Sequence, residues 1–463
     1  EPVTVVPSTP WGAESYAHLP WLTSQWGWVS VLDALFPPAD LKLQKMQRAD
    51  RLLPVLLGLL ALSHGGRGQA DGPQEGPGAE EVSPSLQIAP SNAAFAFNFY
   101  HLVASLNPGS NIFFSPLSIS AAYAMLALGA RGDTWAQILQ GLAFNLTDTS
   151  EPDIHQGFQH LLHTLNRPHD KLETRVGSAL FLSQDLTLRP RFLNDTAAFY
   201  GASPFPADFL DSEGTTQLIN NHVKKETRGK IDNLVSRLSR DTVMVLVNYI
   251  YFRGRWENPV GRHVTKPQDF HVDENTVVKV PMMFQDQHKQ WYLHDKHVPC
   301  SVLRLDYKGG ARALFILPDP GKMAQVEEVL TPEMLRRWSS LLEKRSYSRK
   351  VWLYLPKFSI SGSYNLDQLL PRLGIDLFLR QANLSGISAQ ENLMVSKSVH
   401  KAVLDVDEIG TEAAAATSFS VTLFSAPRIP GILKFNRPFL MAILSTDTQS
   451  ILFLGKVVNP TKP

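Results

Sequence analysis

The sequence predicts a mixed α+β fold. Three observations point there: apolar stripes at helical spacing lead the folded part of the chain, runs rich in β-branched and aromatic residues come after them, and no internal repeat is present. Composition sets the frame. Of 463 residues, 44% are hydrophobic and 19% charged, the balance of a globular chain with an extensive core. The 44 Lys and Arg against 43 Asp and Glu leave a net charge of +1, which excludes a general nucleic-acid binder. A single cysteine, Cys300, excludes an intramolecular disulfide framework and any CxxC metal site.

Taken in order, residues 1–45 have no clear period and precede what reads as a complete secretory signal, so they are expected to be an upstream extension absent from the mature protein. That signal spans 46–65. Met46, Arg48 and Arg51 precede the apolar run 52-LLPVLLGLLAL-62, and the small residues Ser63 and Gly65 come after it. The run is shorter than the about 20 residues a membrane helix needs, so no membrane partner is expected. An amphipathic helix packed on the domain is the plainer alternative. Residues 66–88 are rich in Gly, Pro and Glu and read as a disordered leader, which sets the folded domain at 89–463. Its first helix is expected from an N-cap at Ser91, with Phe95, Phe99, Leu102 and Val103 on one face and a stop at 107-NPG-109. Ile154, Phe158, Leu161, Leu162 and Leu165 form a second stripe after 150-SEPD-153. The runs 243-VMVLVNYIYF-252, 351-VWLYLPKFSI-360 and 439-FLMAILSTDTQSILFLGKVV-458 have strand chemistry. Asn145, Asn194 and Asn383 each open an N-x-[ST] triplet, and behind a signal peptide they become expected glycosylation sites on a secreted chain.

Enzyme chemistry finds little footing. GxSxG, HExxH, the P-loop and the dinucleotide fingerprint are all missing, so no catalytic residue and no cofactor is assigned. His160 with His163, and His294 with His297 if that stretch is helical, fall within one turn, but neither pair has the third ligand that zinc needs. Solvated surface histidines are the plainer reading, and no metal is expected. Cys300 reads as a small buried hydrophobe rather than a reactive thiol.

The informative segment is 408-EIGTEAAAATSFSVTLFSAPRIPG-431, far longer than a connection of about 4–6 residues. Counted by twos, Thr411, Ala413, Ala415, Thr417, Phe419, Val421 and Leu423 fall on one side. Glu412, Ala414, Ala416, Ser418, Ser420 and Thr422 fall on the other. One set is small or apolar and the other small or polar, the pattern of a strand with one buried face. Proline is absent from Ile409 to Phe424 and returns at Pro427 and Pro430, which marks where ladder-forming ability ends. A flexible Ala/Ser linker is the alternative.

From about Leu86 to Pro463 the chain resembles the serpins. The stretches that carry the resemblance are 111-NIFFSPLSIS-120, 248-NYIYFRGRWENP-259, 396-SKSVHKAVLDVDE-408 and 435-FNRPFLMAILSTDTQSILFLGKVVNP-460. The resemblance implies a helical N-terminal half packed on a large mixed β-sheet, with smaller sheets and an exposed reactive-centre loop, here 408–431. It implies shutter and breach roles for Asn248, Trp256 and His400, and makes Glu408, Gly410, Thr411 and 413-AAAA-416 (Ala413, Ala414, Ala415, Ala416) the hinge. Counting from Glu408, it places the reactive bond at Phe424–Ser425, flanked by Leu423. Ile409 departs from the smaller residue common at that position, and Pro427 and Pro430 stiffen the far side of the bond.

In function, the resemblance implies a monomeric, secreted suicide inhibitor of serine proteases, tissue-kallikrein-like or chymotrypsin-like. An apolar specificity pocket would take Phe424, and the loop would insert into a sheet after acylation. The rival reading is a non-inhibitory carrier of a small hydrophobic hormone on the same fold. A second site is expected at Arg336, Arg337, Lys344, Arg345, Arg349 and Lys350, where only Glu343 opposes six cations. Such a field suits heparin or a related sulfated polysaccharide, and a solvated helix end is the plainer alternative.

Overall fold

The computed structural model describes residues 83–261, 264–378, 381–390, 393–410 and 430–462. The expected upstream extension, the signal segment and residues 66–82 of the leader lie outside these.

The helices are α1 (Pro84–Leu106), α2 (Pro116–Ala127), α3 (Asp133–Gly141), α4 (Glu151–Leu165), α5 (Pro190–Tyr200), α6 (Ser212–Glu226), α7 (Met323–Glu328), α8 (Pro332–Leu341) and α9 (Leu366–Leu369). Strands β1 (Ile112–Phe114), β2 (Leu172–Ser183), β3 (Phe205–Ala207) and β4 (Met244–Gly254) are followed by β5 (Lys266–His271), β6 (Val277–Gln285), β7 (Lys289–His294), β8 (Cys300–Tyr307) and β9 (Ala311–Pro318). The rest are β10 (Ser348–Pro356), β11 (Phe358–Asn365), β12 (Lys397–Val406), β13 (Gly431–Lys434), β14 (Phe439–Ser445) and β15 (Ile451–Val457).

Two sheets result. One has five strands in the order β11-β12-β4-β2-β3. The other runs β1-β15-β14-β9-β8-β7-β10-β6-β5, with β13 on β10. β10 makes the corner of the second sheet, pairing with β7 through Ser348–Lys350 and with β6 through Leu353–Pro356. Between the sheets runs α2, every residue of which is buried. Its start is written in the sequence: Pro116 sits in the first turn, and Ser115 caps it by accepting the Ser118 N–H.

Several expectations shift. α1 begins at Pro84, capped at Ser83 rather than Ser91, and runs through Pro90, so Pro84–Ile88 belong to the domain and not to the leader. Tertiary packing outweighs the proline: Ile88 is fully buried against α4, where a Cβ on Gly157 would lie 2.6 Å from it. α1 does stop at 107-NPG-109, and Ser150 caps α4 as the stripe required. The 351–360 run is two strands divided at Lys357. Helices-then-strands is also too coarse, since β2 falls early and α7 and α8 fall late. His294 ends a strand, so it shares no helical face with His297, while His160 joins Ser85 of α1 at 3.0 Å. Cys300 is fully buried and its thiol is pushed up to about 12, chiefly by that burial, so it packs as a hydrophobe.

Candidate functional site

A loop patterned as a strand needs a receiver, and the five-stranded sheet contains a place for one. β12 runs parallel to β4 and pairs with it from Lys397↔Val245 to Ala402↔Ile250. Both strands continue beyond this, to Val406 and Gly254, without pairing to each other. β11 and β2 keep pairing on the outer sides up to Val406 and Gly254. The strands therefore part only along the seam, where Ile250, Phe252, Val403 and Asp405 line a small cavity. A chain that leaves Val406, turns back and descends the seam would run antiparallel to both neighbours and complete both ladders.

Halfway down, the seam is locked. His400 and Asn248 face each other in register, and both are fully buried. His400 Nε2 accepts the backbone N–H of Ser115 at 3.0 Å, so Nδ1 carries the proton and donates it to Asn248 Oδ1. The Ser118 hydroxyl also donates to Asn248 Oδ1, at 3.3 Å, and Tyr364 stacks on the imidazole at 6.2 Å. Burial holds the His400 pKa down to about 3, so the ring is neutral at physiological pH. Asn248 Nδ2 is buried without a partner among the described residues. This pair therefore ties β12, β4 and the head of α2 together while leaving one amide donor unmatched.

The open end is tethered instead at the hinge. Asp407 Oδ1 accepts the N–H groups of Ile409 (2.9 Å) and Gly410 (3.1 Å), folding the chain back at the top of β12. Trp256 donates Nε1 to Asp407 O at 2.9 Å and its own N–H to Ile409 O at 2.7 Å, and stacks on Tyr307 at 4.1 Å. Glu408 is 4% exposed and reaches Lys357 at 3.0 Å and Thr265 at 2.8 Å. Burial opposes its ionisation, but its own backbone N–H, Lys357 and Thr265 outweigh that and hold the carboxyl below the usual glutamate range. Gly410 has φ +136°, and a Cβ there would lie 2.2 Å from Gly254 O, so only glycine fits this hinge. Ile409, the departure from a small residue, is 7% exposed. The remaining hinge residues Thr411, Ala413, Ala414, Ala415 and Ala416, with Leu423 and the bond Phe424–Ser425, lie outside the described residues.

The profile of the family described as Serpin (serine protease inhibitor) matches residues 90–460. The chain is a serpin. It is 63% identical to human kallistatin over 430 residues, 90% of this chain and 100% of that one. Among solved structures, human glycosylated kallistatin superposes with a TM-score of 0.78 at 65% identity, covering 82% of this chain and 100% of that one. Human thyroxine-binding globulin complexed with its hormone gives a TM-score of 0.77 at 42% identity over 82% and 100%. Cleaved kallistatin complexed with heparin gives 0.69 at 66% identity over 71% and 96%.

The serpin's basic segment divides. Lys344, Arg345, Arg349 and Lys350 are exposed between α8 and the start of β10. Arg336 meets Glu333 at 2.6 Å on the open surface, a pair that contributes little and leaves its charge available. Arg337 is spoken for: it lies 3.0 Å from Asp295, a carboxylate with no side-chain exposure that also takes the Trp338 indole at 2.7 Å. The pair anchors α8 to the turn before β8, while the Arg337 side chain stays 37% exposed. Glu343, the one opposing acid, is itself paired with Arg312 at 3.1 Å. Lys289, missed in the sequence because it lies far upstream, stands directly opposite Lys350 in the β7–β10 ladder. Two lysines facing across a ladder repel, which a polyanion would relieve. The triplet residues Asn145, Asn194 and Asn383 are all exposed, Asn194 on α5 and the others in loops. No helix among the described residues is long and apolar enough to cross a membrane.

Proposed function

We propose that this serpin is a secreted, monomeric suicide inhibitor of serine proteases of the tissue-kallikrein or chymotrypsin type. The reactive bond is Phe424–Ser425, and the protein performs no catalysis of its own. The observation that supports this reading best is the seam: β4 and β12 are paired below, unpaired above, and the hinge glycine Gly410 sits at the open end, bridged to Arg255. A protease acylated by Phe424 releases the loop from its far attachment at β13. The strand-patterned residues from Thr411 onward then enter the seam and gain two ladders of hydrogen bonds. Release of strain by loop insertion is the behaviour for which serpins are the standing example. The small residues Thr411 and Ala413–Ala416 need little side-chain volume between neighbouring strands.

One observation favours the rival reading, the 42% identity to thyroxine-binding globulin in complex with thyroxine. The two are told apart by mixing the protein with chymotrypsin. A trap yields a complex that survives boiling in detergent, alongside some cleaved protein. Cleavage at Phe424 without any such complex moves the carrier ahead.

A second activity, binding of heparin or a related sulfated polysaccharide, belongs to Lys289, Lys344, Arg345, Arg349 and Lys350, with Arg336 at the margin. Support comes from their shared exposure and from the heparin complex of cleaved kallistatin. Replacing Lys344, Arg345, Arg349 and Lys350 by alanine is expected to abolish most retention on heparin at about 0.15 M salt while leaving protease inhibition intact. Unchanged retention places the site elsewhere. Secretion and glycans at Asn145, Asn194 and Asn383 complete the reading.

A further inference from the structure

Away from the seam and from the basic segment, the end of α2, the start of α5 and the loop 383–387 enclose a cleft of about 520 Å³. Arg131, Arg189 and Arg191 line it together with Ser385 and Gly386, and no acidic residue does. In a chain of net charge +1 this is a local gathering of like charge, which an anion would relieve. Two of the three side chains are held in place by the backbone. Arg131 Nη1 donates to Leu128 O at 2.9 Å and to Ala130 O at 2.6 Å, and the Arg131 backbone N–H donates to Asn383 O at 2.9 Å. Gly386 makes room for this guanidinium, since a Cβ there would lie 2.6 Å from its central carbon and both terminal nitrogens. Arg189 Nε donates to Ser385 O at 2.6 Å, and its backbone N–H to Ile387 O at 2.8 Å. Each fork is thus oriented by part of its donors. Arg131 Nη2 and both terminal nitrogens of Arg189 meet no acceptor among the described residues. Arg191, with an 86% exposed side chain, meets Asp195 at 3.4 Å, a surface pair that holds its charge weakly.

We propose that this cleft is a separate anion site, which takes a small sugar carrying a phosphate or sulfate monoester. The ester group sits among Arg131, Arg189 and Arg191. Guanidinium forks with free donors match the oxygens of a phosphate or sulfate, and holding the forks beforehand removes part of the ordering cost of binding. Ser385 donates its hydroxyl hydrogen to Asn383 Oδ1 at 2.7 Å, so its oxygen remains an acceptor for a sugar hydroxyl. A cleft of this volume encloses one or two sugar rings rather than tracking a long polymer. It shares no residue with the basic segment on α8, β7 and β10, so the two sites fill independently.

The test titrates glucose 6-phosphate and glucose 6-sulfate by calorimetry at about 20 mM salt, where screening is weak. The protein is the full chain with Lys344, Arg345, Arg349 and Lys350 replaced by alanine, so that the other basic surface is removed. One site per molecule is expected. Arg189→Gln and Arg191→Gln are each expected to weaken binding by about tenfold, the loss of one charge-assisted contact, and their unliganded thermal transitions report that folding is intact. Lys224→Gln, at an exposed lysine of α6, removes the same charge and is expected to leave affinity unchanged. Binding of both probes assigns the site to the oxyanion they share, and binding of only one identifies the ester it takes. The proposal is overturned if neither probe binds, if both folded arginine variants bind as the parent does, or if Lys224→Gln weakens binding equally.

Discussion

The two ends of one strand pair make the instructive comparison. At its middle the β4–β12 seam is closed by His400, Asn248, Ser115 and Ser118, all fully buried and bonded to one another. At its upper end the same strands no longer pair with each other, and hydrogen bonding is moved from the seam to the turn at Asp407–Gly410, where Trp256 and Glu408 hold the hinge against the sheet. An insertion path that starts open and then meets a polar lock has its barrier at the lock. On the inhibitor reading proposed above, the entrance would direct the loop and the lock would set how readily it enters.

Changes at the two ends are expected to differ in size. His400→Leu leaves the buried Ser115 N–H without its acceptor and removes one of the two donors to Asn248 Oδ1, so it should lower the stability of the uncleaved protein by about 2–4 kcal/mol, read as the urea midpoint and slope. Trp256→Phe keeps the stacking on Tyr307 and removes one donor to Asp407 O, for a loss of about 1 kcal/mol. Equal effects would mean that the seam has no lock distinct from its entrance. The pH dependence sharpens the contrast. The folded His400 pKa is depressed to about 3, against roughly 6.5 in the unfolded chain. The folded state thus binds fewer protons than the unfolded one, so the stability the neutral ring contributes is fully present above pH 6.5 and drains away as pH falls toward 3. Between pH 6.5 and 5.5 wild type should lose about 1 kcal/mol more than His400→Leu. Parallel curves for the two proteins would show that the ring does not titrate as described.

How much of this is legible in the sequence depends on how far apart the cooperating residues are. The loop can be read as a strand because its alternation is local, and the caps Ser115 and Ser150 stand beside their helices. The shutter pair can be named only by resemblance, and its partners Ser115 and Ser118 escape notice because the contacts cross 285 and 130 residues of chain. Glu408 is placed at the hinge, but Lys357 and Thr265, which hold its charge, lie 51 and 143 residues away. Arg337 shows the same: counted along the chain it is one of six cations, while in space it also pairs with Asp295, 42 residues away. The start of α1 is expected at Ser91 but lies at Pro84, because burial of Ile88 against α4 is not visible in the local sequence.

The central claim is that the cleaved loop fills the unpaired part of the seam. Hydrogen exchange measured before and after cleavage at Phe424–Ser425 tests it directly, at the backbone amides of Phe252, Gly254 and Val403–Val406 that face the seam. These are expected to exchange readily in the intact protein and to become strongly protected after cleavage, together with a large rise in thermal transition temperature. Amides that exchange equally fast before and after cleavage, with an unchanged transition, would contradict it.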